Sequence, residues 1–365
     1  MHVAWLTLSG FRNYTSLDFV PEEGINILVG PNGSGKTNVL EAIAYGSTLR
    51  SFRNAPDDSL IDTNADLAVI RLAIGRPTGE GRIEIEIPRN GRRRVLFNSK
   101  RPARSTVLAA EFPVVAFLPD DLAMVKGGPA ARRDLVDDLA SQLTPTTAAD
   151  IDEFRRTLRQ RNTLLKQGGR ATDLLTLDVW DERFCLAGAR VLLHRLRLLT
   201  LMGGPLRKSY ATVSSADAVL GWRYDSSWAT GCTPNTPQEE VAMMLRDALL
   251  ARRERDMDMR VTSVGPHRDE PTFLLDDRTT RNQASQGEQR SVALSLRLAA
   301  YDLLEERFGQ PPVLLLDDVF SELDVDRAQG VMKLLPRGQV FVTSAREDEV
   351  PTGGRRWTVS EGTVT

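Results

Sequence analysis

The octapeptide Gly30-Pro31-Asn32-Gly33-Ser34-Gly35-Lys36-Thr37 has the residue types and spacing of a phosphate-binding loop. Its glycines let the backbone curl so that successive N–H groups face phosphate oxygens with no side chain in the way. Lys36 is placed to reach the β- and γ-phosphates and the Thr37 hydroxyl to hold Mg²⁺, with Asn38 directly behind. Far along the chain, Val313 to Leu316 is an apolar run that ends in Asp317-Asp318. An apolar strand ending in carboxylates supplies one acid, Asp317, to support Mg²⁺, and a second, Asp318, to act as a general base toward water. Ser285-Gln286-Gly287-Glu288-Gln289 opens an amphipathic segment in which Val292, Leu296, Ala299 and Leu303 recur at helical spacing. Ser285 and Gly287 at a helix N-terminus form a second anion-directed motif.

These residues need particular elements behind them. Ile25 to Val29 reads as a buried strand and Asn38 to Ala44 as the start of a helix whose dipole favours a polyanion. Val3 to Leu8 and Leu17 to Val20 read as strands around the turn Gly10 to Tyr14, a hairpin that would bring Arg12 or Tyr14 near the nucleotide. An ordinary surface turn fits the spacing equally well. Ala68 to Ile74, Ile83 to Ile87 and Val114 to Leu118 are further strands, and Asn90-Gly91 signals a two-residue hairpin loop. That hairpin carries Arg89, Arg92, Arg93 and Arg94, followed by Lys100, Arg101 and Arg104. Such a cluster suits a phosphate backbone, or is a solvated ribbon partly neutralised by Glu84 and Glu86. From about Lys126 to Ser209 the chain turns helical. Arg155, Arg159 and Lys166 share a face there, with Arg156, Arg161 and Arg170 nearby, and no heptad run is long enough for an extended coiled coil. Thr230 to Glu239 reads as a loop and Glu239 to Arg255 as a helix. In Gly265-Pro266-His267-Arg268-Asp269 a lone histidine is more often structural than catalytic. Thr272 to Leu275 and Val340 to Val342 complete the strands, the latter ending at Thr343-Ser344.

The expected fold class is α/β: a P-loop ATPase lobe with a mixed sheet, formed by residues 1–125 and 260–365, and a helical lobe formed by 126–259. Composition agrees with two lobes of ordinary globular character. The chain has 365 residues, 41% of them hydrophobic, and only the last few resemble a disordered tail. Net charge is −2, so nucleic-acid contact has to come from local patches. The two cysteines, Cys185 and Cys232, lack metal-type spacing, and no run approaches a membrane span. A soluble protein of a reducing cytoplasm is expected.

The motifs in this order resemble the ABC-type ATPase heads of the SMC and double-strand-break-repair group, and more closely the RecF family. The resemblance rests on Phe11 to Tyr14, Gly30 to Asn38, Leu49 to Arg53, Gly265 to Asp269, Ser285 to Arg290 and Leu316 to Asp324, and it spans essentially the whole chain. It implies an ATP- and Mg²⁺-dependent homodimer on double-stranded DNA near gap junctions, with RecR and RecO as partners in loading RecA, and no membrane. By the same resemblance Arg12, Ser285, Gly287 and Gln289 join the residues Gly30 to Asn38 around the nucleotide. There are departures. Glu288 stands where transporters carry glycine, Asp318 where many relatives carry glutamate, and no histidine follows the strand ending at Thr343-Ser344. The glutamine expected near Pro119 to Asp121 is not evident. Slow hydrolysis, acting as a timer, is the expectation. Two rivals remain: a transporter subunit, which would co-purify with membranes, and a metabolic P-loop kinase, which has no use for the Ser285 motif.

Overall fold

Apolar, β-branched segments bounded by turn residues alternate with helices, and this pattern sets the element order of the computed structural model. It describes the chain apart from residues 54, 78, 103–105, 215–217, 323–324, 336–337 and 351–352. Along the chain run β1 (His2–Phe11), β2 (Tyr14–Phe19), β3 (Ile25–Val29), α1 (Lys36–Thr48), β4 (Leu67–Gly75), β5 (Gly81–Pro88), β6 (Arg94–Phe97), α2 (Thr106–Glu111) and β7 (Val114–Phe117). Then follow α3 (Leu122–Lys126), α4 (Pro129–Leu143), α5 (Pro145–Gly168), α6 (Leu174–Ser214), β8 (Leu220–Asp225), α7 (Gln238–Met259), β9 (Glu270–Leu275), β10 (Arg278–Thr279) and α8 (Thr280–Gln283). Last come α9 (Gln286–Phe308), β11 (Val313–Asp317), α10 (Val325–Leu334), β12 (Val340–Ser344), β13 (Arg355–Ser360) and β14 (Thr363–Val364).

The chain divides into two compact units. The first comprises residues 1–121, 208–217 and 290–365. It holds an antiparallel sheet, β2-β1-β4-β5-β6, and a six-stranded sheet, β14-β13-β3-β12-β11-β7, whose strands from β13 to β7 are all parallel. Every residue of β11 and β12 is buried, as expected for parallel strands covered on both faces. Helix α1 is apolar on nearly all sides, with Val39, Leu40, Ala42, Ile43, Ala44 and Tyr45 buried, and it packs against β4 and β5 of one sheet and β7, β11 and β12 of the other. A helix apolar all round has to sit in a core. Gln339 joins the sheets: its amide accepts from the Val3 N–H at 2.7 Å and donates to the carbonyls of Val3 and Glu22 at 3.0 and 2.8 Å. A buried amide satisfied this fully adds specificity without an orphan's penalty.

The second unit comprises residues 122–207 and 218–289. Phe154, Phe184, Leu192, Val241, Leu245 and Leu249 centre its core, beside the three-stranded sheet β10-β9-β8. Arg161, expected near a charged helix face, is fully buried and pairs with Asp181 at 2.6 Å and Asp256 at 2.8 Å. The boundaries also differ from expectation. Residues 260–289 fall in the second unit because β9 pairs with β8 and packs on α4. Residues 208–217 fall in the first, where the charge of Lys208 acts on Asp302 of α9. The Asn90-Gly91 hairpin exists, but β5 and β6 are joined by residues 89–93 with only Gly91 at positive φ, so the loop is not a two-residue turn. Nor are the last residues a tail: β13 and β14 pair, and β13 extends the sheet beside β3.

Candidate functional site

β3 delivers the loop Gly30 to Gly35 into α1, and two glycines carry the geometry. A Cβ on Gly30 would lie 2.2 Å from the Val359 carbonyl oxygen, so β13 leaves no room for a side chain. Gly35 precedes the first helical residue at φ +113°, where L residues are strained, and a Cβ there would lie 2.6 Å from Asn13 Nδ2. The β1–β2 turn braces the loop from that side: Asn13 Nδ2 donates to the Ser34 carbonyl at 3.0 Å and the Tyr14 hydroxyl to the Gly35 carbonyl at 3.2 Å. Asn38 Nδ2 donates to Asn13 Oδ1 at 2.8 Å, and Arg53 Nη1 donates to Asn38 Oδ1 at 3.2 Å.

Lys36 is 8% exposed and its ammonium donates to the carbonyls of Gly30 at 2.7 Å and Pro31 at 2.9 Å. Burial pulls its pKa down, opposed by the charges of Asp318, Asp317 and Glu349. Thr37 Oγ1 donates to Asp317 Oδ1 at 2.7 Å, joining residues 280 apart in sequence. Thr343 Oγ1 donates to the same oxygen at 2.7 Å and accepts the Asp318 N–H at 2.9 Å. Burial pushes the Asp317 carboxyl up, and the hydroxyl bonds and the charge of Arg53 pull it back. Asp318 is half-buried at φ +52°, a conformation that turns the chain sharply off the end of β11, and Ser321 Oγ donates to its carbonyl at 2.9 Å. Leu323 and Asp324 lie outside the described residues, as does Arg104.

The residues present fit a magnesium nucleotide. Ser34 Oγ is buried without a hydrogen-bond partner inside the loop, and the Thr37 hydroxyl and Asp317 carboxylate are hard oxygen donors of the kind Mg²⁺ takes. No cluster of three or more His, Cys, Asp or Glu suited to another metal occurs among the described residues.

Two expected nucleotide residues are committed elsewhere. Arg12 makes a two-pronged ion pair with buried Glu41 of α1, with both N···O distances 2.9 Å, and Nη1 donates to the Ser59 carbonyl at 2.9 Å. Ser51 Oγ donates to Glu41 at 2.5 Å. Arg12 thus anchors α1. Gln289 is 5% exposed and donates to the carbonyls of Thr280 and Arg281. Ser285 and Glu288 form a capping box at the start of α9: the Ser285 N–H donates to Glu288 Oε2 at 2.7 Å, and the Glu288 N–H to Ser285 Oγ at 3.2 Å. Glu288 therefore has a local reason to replace glycine. Where a glutamine was sought, Asp121 is held instead, by Arg297 at 2.7 and 2.9 Å and by the Leu118 N–H. Sequence reasoning missed the Asn13–Asn38–Arg53 chain, Thr343 and Glu349. The first had a signal in two asparagines flanking the loop, whereas the others depend on strand neighbours that periodicity does not reveal.

With the geometry in place, similarity to known proteins is informative. The family model "RecF/RecN/SMC N terminal domain" matches residues 2–361. A DNA replication and repair protein RecF from Frankia alni is 40% identical over all of this chain and 99% of its own. The protein so named from Streptomyces avermitilis is 38% identical, again over all of this chain and 99% of its own. A solved structure of the recombination mediator protein RecF-ATP in the RecFOR pathway superposes with TM-score 0.92 at 29% identity, covering all of this chain and 97% of that one. A phosphate-type loop, a strand-end carboxylate pair and relatives matched over their full length converge on one conclusion: the chain belongs to the RecF/RecN/SMC N-terminal domain family, and within it to the RecF proteins.

Proposed function

We propose that this chain is an ATP-dependent switch in recombinational DNA repair. It dimerises on double-stranded DNA near single-strand gaps, hydrolyses ATP slowly, and assists RecA loading with RecR and RecO in the cytoplasm. The observation that carries the reading is the 2.7 Å bond between Thr37 and Asp317, which joins the loop and the strand end in one site. The names of the full-length relatives, including one solved with ATP in the RecFOR pathway, support repair as the setting.

In this reading the N–H groups of Gly30 to Thr37 surround the phosphates and Lys36 leaves its two carbonyls to reach them. Thr37 and Asp317 would hold Mg²⁺, which supplies charge neutralisation across the phosphates when bound. Asp318 accepts the proton of the attacking water. Ser285 and Gly287 of a second copy close the site over the terminal phosphate. Asn38 braces the loop from outside, and Arg12 and Gln289 support the site without touching nucleotide. No described helix is long and apolar enough to cross a membrane, and co-purification with membranes would favour the transporter rival. The test is ATP hydrolysis and particle mass, each measured with and without duplex DNA. ATP is expected to shift the mass to a dimer and DNA to raise turnover. Turnover that needs a small acceptor and ignores DNA would overturn the reading.

A further inference from the structure

We propose that Glu349 is a built-in anion of the nucleotide site, whose charge limits how tightly nucleotide is held and so hastens release of the spent form. The inference rests on the reading of Gly30 to Thr37 as an ATP site.

The placement starts with the sheet. β12 runs parallel to β3 with Ser344 opposite Val29, and the Gly30 N–H points at the Ser344 carbonyl at 3.4 Å. The strand after the catalytic carboxylates therefore ends against the first residue of the loop. Ser344 is 1% exposed, so its hydroxyl has to find partners within the protein. It accepts the Arg346 N–H at 3.2 Å and has two acceptors for its single proton, Glu349 Oε2 at 2.5 Å and the Arg346 carbonyl at 2.8 Å. These contacts curl residues 344–349 back on the strand end. Ser344 thus bonds the Glu349 carboxyl through its side chain and meets the Gly30 N–H through its carbonyl, and that carboxyl is only 20% exposed.

The carboxylates around Lys36 differ in their compensation. Its ammonium feels Asp318, Asp317 and Glu349. Asp317 receives two hydroxyls and suits a cation, and Asp318 stands at the strand end where a water proton is to be taken. Glu349 has a neutral hydroxyl as its close partner, and its other oxygen lies 3.7 Å from an Arg346 guanidinium that is 75% exposed. An exposed guanidinium at that distance compensates little, which leaves the Glu349 charge to act on Lys36. A triphosphate brings several more negative charges into a partly desolvated cleft, where like-charge repulsion is stronger than in bulk water. The protein thus holds a charge that opposes its own ligand. In a nucleotide timer, such opposition shortens the life of the bound state.

Glu349→Gln keeps an acceptor for Ser344 and removes the charge, which separates electrostatics from architecture. Binding of MgATP and MgADP is measured by displacement of a fluorescent nucleotide, at low and high salt, alongside steady-state kinetics. The variant is expected to bind both nucleotides roughly tenfold tighter at low salt, with the gain shrinking at high salt. KM and kcat are expected to fall together as release becomes limiting. Glu349→Asp, which restores the charge, should return affinity toward wild type. Unchanged affinity in Glu349→Gln, with nucleotide binding intact in wild type and lost in Lys36→Ala, overturns this inference and leaves the loop reading standing. A lower kcat with unchanged affinity overturns it as well, and makes Glu349 a group acting on the chemical step. Wild-type protein that binds no nucleotide overturns both.

Discussion

Asp317 and Asp318 are adjacent in sequence, yet the fold gives them different surroundings. The Asp317 carboxylate is buried and takes hydroxyls from Thr37 and Thr343 on one oxygen, an arrangement that prepares oxygen donors for a cation. Asp318 is fixed through its backbone, by the Thr343 hydroxyl at its N–H and Ser321 at its carbonyl, so its side chain can be changed without disturbing its neighbour. Asp318→Asn, which removes a negative charge beside Lys36, is therefore expected to bind MgATP at least as tightly as wild type and to lower turnover about 10²- to 10⁴-fold, the usual worth of a general base. Wild-type turnover in that variant would remove Asp318 from the role. His267 shows the reverse case, a chemically able residue with a structural job. It lies between Phe154 and Phe184, its Nε2 bonds the Thr262 carbonyl at 3.0 Å, and its Nδ1 is buried without a partner. Burial holds its pKa down at about 4. Below pH ~6.5 the unfolded chain takes a proton there that the folded chain refuses until pH ~4. The neutral histidine should thus cost stability as pH falls through that window, by ~3 kcal/mol in total. His267→Gln, neutral throughout, should show an acid limb flatter by that amount in denaturant unfolding between pH 7 and 4. Equal slopes for the two proteins would mean that His267 titrates alike in the folded and unfolded chain.

At the level of elements, what the sequence revealed follows from range. The loop and its flanking strand and helix were legible because glycine, lysine and threonine at fixed spacing have a local cause. The helix from Ser285 was legible by its period, and the strand before Asp317 by its unbroken apolar run. The Arg12–Glu41 pair was not legible because Glu41 is a charged residue inside a mostly apolar helix, and only the packed structure shows that this charge is buried. The C-terminal strands were missed for a similar reason. Arg355 to Ser360 is too polar to look like sheet, and it pairs beside β3 with Arg355 stacked over Trp357. The basic hairpin divides in the same way. Arg93 donates to the Tyr45 hydroxyl, the Leu49 carbonyl and Asp57, Arg89 caps the carbonyls of Asp62 and Ala65, and Arg94 faces Glu86. Arg92, Lys100 and Arg101 are exposed, and they are the charges of this ribbon best placed to meet a phosphate backbone. Replacing all three with alanine should lower the slope of log affinity for duplex DNA against log salt by up to roughly 0.9 per lost contact. An unchanged slope would place the DNA-contacting charges elsewhere in the chain.

For the whole molecule, the question is where the two anion-directed motifs meet. The loop Gly30 to Thr37 belongs to one compact unit and Ser285 to the other, and each chain carries one of each. If both gripped the same nucleotide within one chain, ATP would have no reason to drive association. If each faces a partner, a two-fold dimer pairs the loop of one copy with the Ser285 motif of the other, twice over. The capping box adds a chemical condition. In the single chain, Glu288 already occupies the Ser285 N–H, so a partner's terminal phosphate has to compete with a carboxylate for that donor, which favours closure only when ATP is present. Two inactive proteins test the arrangement, Lys36→Ala and Ser285→Arg. In a mixed dimer, one site collects both lesions and the other combines an intact loop with an intact Ser285 motif. Mixing is expected to restore ATPase activity, to about half of wild type per mixed dimer if the two sites fire independently. Mixed dimers that form and bind ATP yet show no activity above either parent would mean that the sites are strictly coupled or that the motifs act within one chain. Particle mass separates these outcomes. Ser285→Arg alone should fail to dimerise with ATP if its motif reaches across, whereas a motif serving only its own chain leaves ATP-driven assembly intact.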